Sequence, residues 1–186
     1  METDFKLICD GNAFESIKDS WVKLLSITLK DDSILGFDEE FFSNSDLVNQ
    51  YTEKIKAEIN VGALILLVAE YQDELIVCCN LKLNHQQTTQ HICDLQKGLI
   101  HPKYRRKGLL EKSLAHIASF CIERKIELLT LDVRANSIGH KVWVKSGFQT
   151  YGELDDYCRF NGMSYSGCFM KQKTQHLLDK FYTHIQ

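Results

Sequence analysis

The chain has 186 residues, of which 44% are hydrophobic and 25% are charged, with a net charge of −3. This balance is typical of one globular domain and excludes a disordered or fibrous chain. The chain has 22 Lys and Arg residues and 25 Asp and Glu residues. This weakly acidic composition argues against general binding to nucleic acid or to an anionic membrane.

The first elements are a short strand at residues 5–9 and two amphipathic helices. Apolar residues recur at helical spacing in two stretches, with the stripes Ile17, Trp21, Leu24, Leu25 and Thr28, and then Val48, Tyr51, Ile55 and Ile59. Ser45 or Asp46 is the expected cap of the second helix.

Strands and helices then follow in a mixed order. Two apolar runs, Ala63–Tyr71 and Leu75–Leu83, predict a hairpin. The remaining pattern predicts strands at 90–100, 128–134, 148–152 and 168–171 and helices at 107–124, 137–146 and 174–185. A single mixed sheet with helices on its faces is the expected α/β architecture.

The junction between the 90–100 strand and the next helix has the composition of an anion site. Pro102, the only proline, marks the end of the strand, and three cations and Gly108 precede the helix. The first amides of a helix lack intrahelical partners and lie at the positive end of its dipole. Because glycine has no side chain, a ligand oxygen can approach the backbone, and a diphosphate is the expected ligand.

Two motifs in this half of the chain resemble those of the GNAT superfamily of N-acetyltransferases. Arg105-x-x-Gly108-x-Leu110 is similar to the first motif of that family, which follows its fourth strand. Asn136 followed by an aromatic residue and by Gly147-Phe148 is similar to the second motif.

The resemblance implies a fold, a co-substrate and a set of binding residues. The implied fold is a single, mostly antiparallel mixed sheet of about six or seven strands with an extra C-terminal helix. Residues 1–186 would form one domain, with 1–62 on the acceptor side, 90–171 as the acetyl-CoA-binding core and 174–186 as the added helix. The implied contacts to acetyl-CoA are Leu99 and Ile100 along the pantetheine, Arg105, Arg106, Lys107, Gly108, Leu109 and Leu110 around the diphosphate, and Asn136 and Trp143 along the arm.

Two residues depart from the family pattern. Leu110 replaces a small residue, and its side chain either crowds the diphosphate loop or points into the core. Trp143 stands where family enzymes often carry a tyrosine that protonates the departing thiolate, and an indole N–H is not a useful acid. Three alternatives follow: water or another group supplies the proton while Trp143 packs on the pantetheine, a hydroxyl or thiol of Tyr151, Tyr157 or Cys158 does so, or the chain binds acyl-CoA without efficient transfer.

Attack by an amine requires a base, and Asp94 is the candidate. It matches an acidic position of many family members, six residues before Ile100. Regular alternation would place Asp94, Gln96, Gly98 and Ile100 on one face of the strand. The alternative is a solvated carboxylate. Asp132 is a second candidate, with a structural role as its alternative.

The acceptor is less clearly encoded. Several acidic residues would attract a cationic amine if they line the cleft, and otherwise form an ordinary solvated surface. They are Asp31, Asp32, Asp38, Glu39, Glu40, Asp155 and Asp156. Three nearby phenylalanines line an acceptor pocket or belong to the core: Phe37, Phe41 and Phe42. Asn161-Gly162 predicts a hairpin turn, and the C-terminal helix would cover the sheet or support a homodimer.

The expected function is acetyl-CoA-dependent N-acetylation of a small primary amine, by direct transfer in a ternary complex. The alternatives are a non-catalytic acyl-CoA-binding module and a protein N-acetyltransferase. Scattered histidines and seven cysteines without CxxC spacing argue against a metal site and a disulfide framework. With no signal-peptide pattern or long apolar run, a cytoplasmic protein with no membrane partner is expected.

Overall fold

The computed structural model describes residues 3–29, 36–160 and 162–185. Seven strands form one sheet, and their bounds are β1 Asp4–Ile8, β2 Leu64–Tyr71, β3 Glu74–Leu83, β4 Ile92–Ile100, β5 Leu128–Arg134, β6 Gln149–Phe160 and β7 Met163–Lys173. The α-helices are α1 Gly11–Leu29, α2 Glu39–Ser43, α3 Ser45–Asn60, α4 Leu109–Glu123, α5 Ile138–Ser146 and α6 Thr174–Phe181. Single 3₁₀ turns span Pro102–Tyr104 and Tyr182–His184.

The sheet is mixed and mostly antiparallel, which confirms the predicted fold class. Its strand order is β1-β2-β3-β4-β5-β7-β6. Every neighbouring pair runs antiparallel except β4 and β5, which run parallel. The two halves of the sheet therefore meet at the single parallel pair.

Helices cover both faces of the sheet, as the apolar stripes require. The stripes of α1 and α3 bury Trp21, Leu24 and Ile55 against β2 and β3. On the opposite face α4 and α6 form a second core with β4 and β5, in which Leu114 and Leu177 are fully buried. All seven cysteines are free thiols, and five of them are buried.

Several local predictions are corrected. The cap of α3 is Asn44, whose side chain accepts from the amides of Asp46 and Leu47, so Ser45 and Asp46 are not the cap. The predicted connector contains α2, capped by Asp38. The last two strands are far longer than expected and pair up to Phe160–Met163. Asp31, Asp32 and Asn161 lie outside the described residues.

A β-bulge interrupts β4 and reverses its faces. Lys97 has a positive φ of 49°, and the register with β3 slips between Asn80–Gln96 and Cys78–Leu99. Before the bulge, buried side chains of β4 join the α4 core, whereas Leu99 joins the α1 core. The prediction that Asp94, Gln96, Gly98 and Ile100 share one face is therefore wrong, because the extra residue of a bulge shifts the alternation by one.

The strands β4 and β5 pair over a short distance only. Their register covers Ile92–Leu128, Cys93–Leu129 and Asp94–Thr130. Beyond Asp94 the two strands separate. The backbone groups on the facing edges of β4 and β5 then border the gap between them. We call this opening between 95–100 of β4 and 131–134 of β5 the cleft.

Candidate functional site

The loop between β4 and α4 begins at one end of the cleft. After Ile100 the chain makes a 3₁₀ turn and then passes through two residues of positive φ, Arg106 at 61° and Gly108 at 76°. The Arg105 side chain donates from Nε to the Ile100 carbonyl at 3.1 Å, so it ties the loop back to the strand. At Gly108 the left-handed conformation favours glycine, although an added Cβ would meet nothing within 4 Å.

The start of α4 is suited to an anion. Gly108 is the N-cap and provides no side-chain acceptor for the first amides of the helix. Arg105, Arg106 and Lys107 are exposed around it. A helix N-terminus without a side-chain cap, beside three cations, has the chemistry of a phosphate-binding site.

The two leucines after Gly108 do not obstruct this loop. Leu109 is buried with Tyr104 and Val77. Leu110 packs partly buried against the α4 core, so its side chain points inward. Of the two alternatives for Leu110, the structure favours the core.

The far side of the cleft is the turn from β5 to α5. Asn136 is exposed with a φ of 60°, and its amide donates to His140 Nδ1 at 3.2 Å. Ser137 caps α5 by accepting from the His140 amide at 3.0 Å. This reciprocal pair holds Asn136 at the mouth of the cleft.

Trp143 reaches across from α5 to β4. Its ring centroid lies 5.1 Å from that of Phe148, at an interplanar angle of 67°. An added Cβ on Gly98 would lie 3.3 Å from its Cζ2 atom. Trp143 therefore borders the cleft at Gly98, on the α4 side of the sheet.

Asp94 lies where β4 and β5 part, on the face that carries α1 and α3. Its carboxylate accepts from Thr130 Oγ1 at 2.8 Å and from Gln96 Nε2 at 3.0 Å. Burial raises the pKa of Asp94 above the ordinary aspartate value and the charge of Asp132 raises it further, against the lowering effect of the two hydrogen bonds. A carboxylate with a raised pKa is a better match for accepting a proton near neutral pH.

Asp132 and Tyr157 form a second polar group on this face. The Tyr157 hydroxyl donates to Asp132 Oδ2. Burial raises the pKa of Tyr157, and the hydrogen bond to Asp132 raises it further. Because its one proton is already donated, Tyr157 is poorly placed to protonate a thiolate.

Other predicted acceptor residues have structural partners. Asp38 caps α2, and Asp156 bonds to Arg159 and Ser164. Phe37, Phe41 and Phe42 pack on one another and on Tyr51, and the Lys97 ammonium lies 4.7 Å from the Phe37 ring centroid. The phenylalanines thus form an aromatic cluster at the rim of the α1 core.

Sequence reasoning missed two residues of this site, Thr130 and Gly167. The register that pairs Thr130 with Asp94 is a tertiary feature with no local signal. Gly167 did carry a signal, since an isolated glycine within a strand often marks a close approach of another group. A Cβ there would lie 2.2 Å from Tyr157 Cγ.

Solved structures share this architecture at low sequence identity. An acetyltransferase of Staphylococcus epidermidis is 17% identical, with a TM-score of 0.71, and the match covers 93% of this chain and 99% of that one. A ribosomal-protein-S5-alanine acetyltransferase of Vibrio fischeri is 12% identical, with a TM-score of 0.73 and 94% of each chain covered. An acetyltransferase of Salmonella typhimurium, solved with acetyl-CoA, is 13% identical, with a TM-score of 0.67, covering 94% of this chain and 95% of that one. These likenesses define the acetyltransferase fold.

A family model identifies the chain more closely. The model of the acetyltransferase (GNAT) family matches residues 29–148, well over half of the sequence. The chain therefore belongs to the GNAT family of acetyltransferases, which confirms the resemblance found in its motifs.

Across the ranges 3–29, 36–160 and 162–185, no three His, Cys, Asp or Glu side chains form a group that could hold a metal ion. No helix in the described part of the chain is long and apolar enough to span a bilayer.

Proposed function

We propose that this protein transfers the acetyl group of acetyl-CoA directly to the primary amine of a small molecule, within a ternary complex. The observation that carries the proposal is the position of Asp94, a half-buried carboxylate at the point where β4 and β5 part. A base at this point lies at the end of the cleft, beside both of the strands that border it.

The co-substrate is proposed to lie along the cleft. Leu99 and Ile100 would offer backbone groups to the pantetheine, while Asn136 and Trp143 would flank it from the other side. The diphosphate would bind at Arg105, Arg106 and Lys107 and at the amides of Gly108, Leu109 and Leu110. The uncapped start of α4 supports this arrangement.

Acetyl-CoA supplies a thioester, whose carbon–sulfur bond breaks as the amine nitrogen bonds to the carbonyl carbon. Asp94 accepts the proton that the amine must lose before its nitrogen attacks the thioester carbon. Thr130 and Gln96 fix the carboxylate by their hydrogen bonds. Trp143 carries no titratable proton at the cleft, so we assign protonation of the thiolate to solvent.

We further propose that residues 1–186 act as one domain, with 1–62 on the acceptor side, 90–171 as the acetyl-CoA-binding core and 174–186 as a covering helix. The single sheet supports this division, because α6 adds Leu177 and Phe181 to the core beside α4. A cytoplasmic location is part of the same proposal.

Binding should be tested first, by calorimetric titration of the protein with acetyl-CoA and with CoA. Arg105→Ala is expected to weaken both, because it removes a charge and the bond that ties the loop to Ile100. Lys180→Ala is the matched control, since its ammonium caps the carbonyl of Lys145, away from the loop. No binding at millimolar ligand would refute the proposal.

Turnover should then be followed by mass spectrometry of amine mixtures incubated with acetyl-CoA. Acetylated small amines are the expected product. Binding without turnover of any amine would favour the non-catalytic acyl-CoA-binding alternative. Acetylated peptide N-termini or lysines, without small-molecule products, would favour a protein N-acetyltransferase.

A further inference from the structure

A wide bulge in β6 carries Tyr157 toward the cleft. The strand pairs Leu154 with Gly167 and Cys158 with Tyr165, so residues 155–157 stand opposite Ser166. Asp156 has a positive φ of 53° within this bulge. The added residues bend the strand and redirect the Tyr157 side chain across β7.

Gly167 makes the crossing of Tyr157 sterically feasible. An added Cβ would lie 2.2 Å from Tyr157 Cγ and 2.6 Å from both Cδ atoms. The contact is with the root of the ring, so a small adjustment of the hydroxyl end would not relieve it. The Tyr157 ring also packs edge-on to Phe169, with centroids 6.2 Å apart and an interplanar angle of 85°.

The crossing ends at a carboxylate next to the candidate base. Phe169 pairs with Asp132 in the register of β5 and β7, and the Tyr157 hydroxyl donates to Asp132 Oδ2. Asp132 lies two residues beyond Thr130, on the same face as Asp94. The charge of Asp132 is close enough to act on Asp94.

The groups that result offer acceptors rather than donors. The one proton of Tyr157 is donated to Asp132, so the Tyr157 oxygen has only lone pairs to offer a ligand. Asp94 and Asp132, when ionised, act as hydrogen-bond acceptors only. Lys97 also faces this side: it packs over Phe37, and burial lowers its pKa while the charge of Asp132 opposes that shift. A partner that completes these acceptors must bring several N–H donors, and a positive charge strengthens each bond.

We infer that Tyr157 is a positioning residue for the acetyl transfer: by donating to Asp132 it prepares the site for an acceptor that arrives as an ammonium ion. This rests on the proposed function and narrows its substrate to an aliphatic primary amine. The ammonium nitrogen loses two protons in all. One passes to Asp94 and then to solvent, the other is lost to solvent as the amide bond forms, and solvent returns one proton to the CoA thiolate.

The test is calorimetric binding of four probe molecules to protein saturated with CoA. n-Butylamine and 1,4-diaminobutane are cations at neutral pH, whereas aniline and butyramide are uncharged. The wild-type protein should bind the cations in preference. Tyr157→Phe and Gly167→Ala should each weaken their binding about tenfold, the typical effect of one hydrogen bond to a charged group.

Tyr182→Phe is the matched control, because it removes the hydroxyl of an exposed tyrosine near the C-terminus. It should bind the cationic probes as the wild type does, and all variants should keep the affinity for CoA. Where turnover is measured, Tyr157→Phe should raise KM for the amine more than it lowers kcat. In a spectroscopic titration, Asp132→Asn should let one phenol ionise at lower pH.

The outcomes separate the two proposals. If no cationic probe binds the CoA-saturated wild type, or if Tyr157→Phe binds cations as Tyr182→Phe does, the inference is overturned. Acetylation of uncharged amines alone also overturns it, while the proposed function stands. Cation binding that depends on Tyr157, without turnover of any amine, supports the cation site but refutes the proposed function, and with it a role of Tyr157 in acetyl transfer.

Discussion

The two sides of the candidate site are built in different ways. The loop at 100–110 is contiguous in sequence, and the anion binding that we propose for it depends on backbone conformation at Gly108 and on the start of α4. The acceptor side is assembled from side chains on β4, β5 and β6, namely Asp94, Asp132 and Tyr157. Conformation should therefore be critical in the loop, and chemical identity on the acceptor side.

The sharpest test of this difference is Asp94→Asn, which changes one group on the acceptor side. We expect kcat/KM to fall by about 10²–10⁴-fold, the usual contribution of a general base, while the Kd for acetyl-CoA stays unchanged. Steady-state kinetics and calorimetry would measure the two quantities.

Asp19→Asn serves as the control for that substitution, because Asp19 is exposed on α1. Its kinetics should equal those of the wild type. A rate for Asp94→Asn within threefold of the wild-type rate, with the same pH profile, would show that the base lies elsewhere.

The second test addresses the loop through Gly108→Ala. A left-handed conformation costs an L-residue about 1 kcal/mol or more, and an equal penalty on the bound conformation weakens acetyl-CoA about tenfold. Gly62→Ala is a closely matched control, since Gly62 has a φ of 70° and its Cβ would also meet nothing within 4 Å.

Both glycine variants should lose similar stability to urea, but only Gly108→Ala should bind acetyl-CoA more weakly in calorimetry. If both bind as the wild type does, the loop conformation is not what holds the diphosphate, and the contrast between the two sides fails.

A smaller effect is expected at Trp143, which borders both regions. Trp143→Phe keeps an aromatic ring against Phe148 and removes the indole N–H. We assign protonation of the leaving thiolate to solvent, so kcat of Trp143→Phe should change by less than about threefold. Loss of a general acid would instead lower kcat by about 10²–10⁴-fold. A 100-fold loss in stopped-flow or steady-state rates would instead give the indole a direct role.

The smallest effect concerns stability and pH. The pKa of Asp94 is raised in the folded protein, so above the unfolded-state value of about 4 the folded state binds more protons than the unfolded state. Stability from this group is thus greatest at low pH and falls as the pH rises toward the folded value. Asp94→Asn should therefore gain stability relative to the wild type as the pH rises above about 4, as measured by urea midpoints.

Local signals made the loop predictable and left the acceptor side only partly so. Pro102, the basic run and Gly108 lie together in the sequence, and each acts through nearby backbone. The faces of β4 were mistaken because Lys97 carries no sequence mark of a bulge. Tyr157 was a candidate from its position alone, but its bond to Asp132 depends on the β6 bulge and on strand register, which are tertiary features.

The bulge at Lys97 determines which side of the sheet the end of β4 faces, because it takes one residue out of the alternation. Ile100 leaves the strand on the α4 side, where Arg105 anchors the loop, while Asp94 remains on the other side. Removing Lys97 would take out the extra residue and restore strict alternation, with Gly98 and Ile100 toward α4 and Leu99 toward α1, as they are now. A single-codon deletion at the bulge is thus expected to leave the diphosphate loop and Asp94 on their present sides of the sheet, and to shorten the strand between them by one residue.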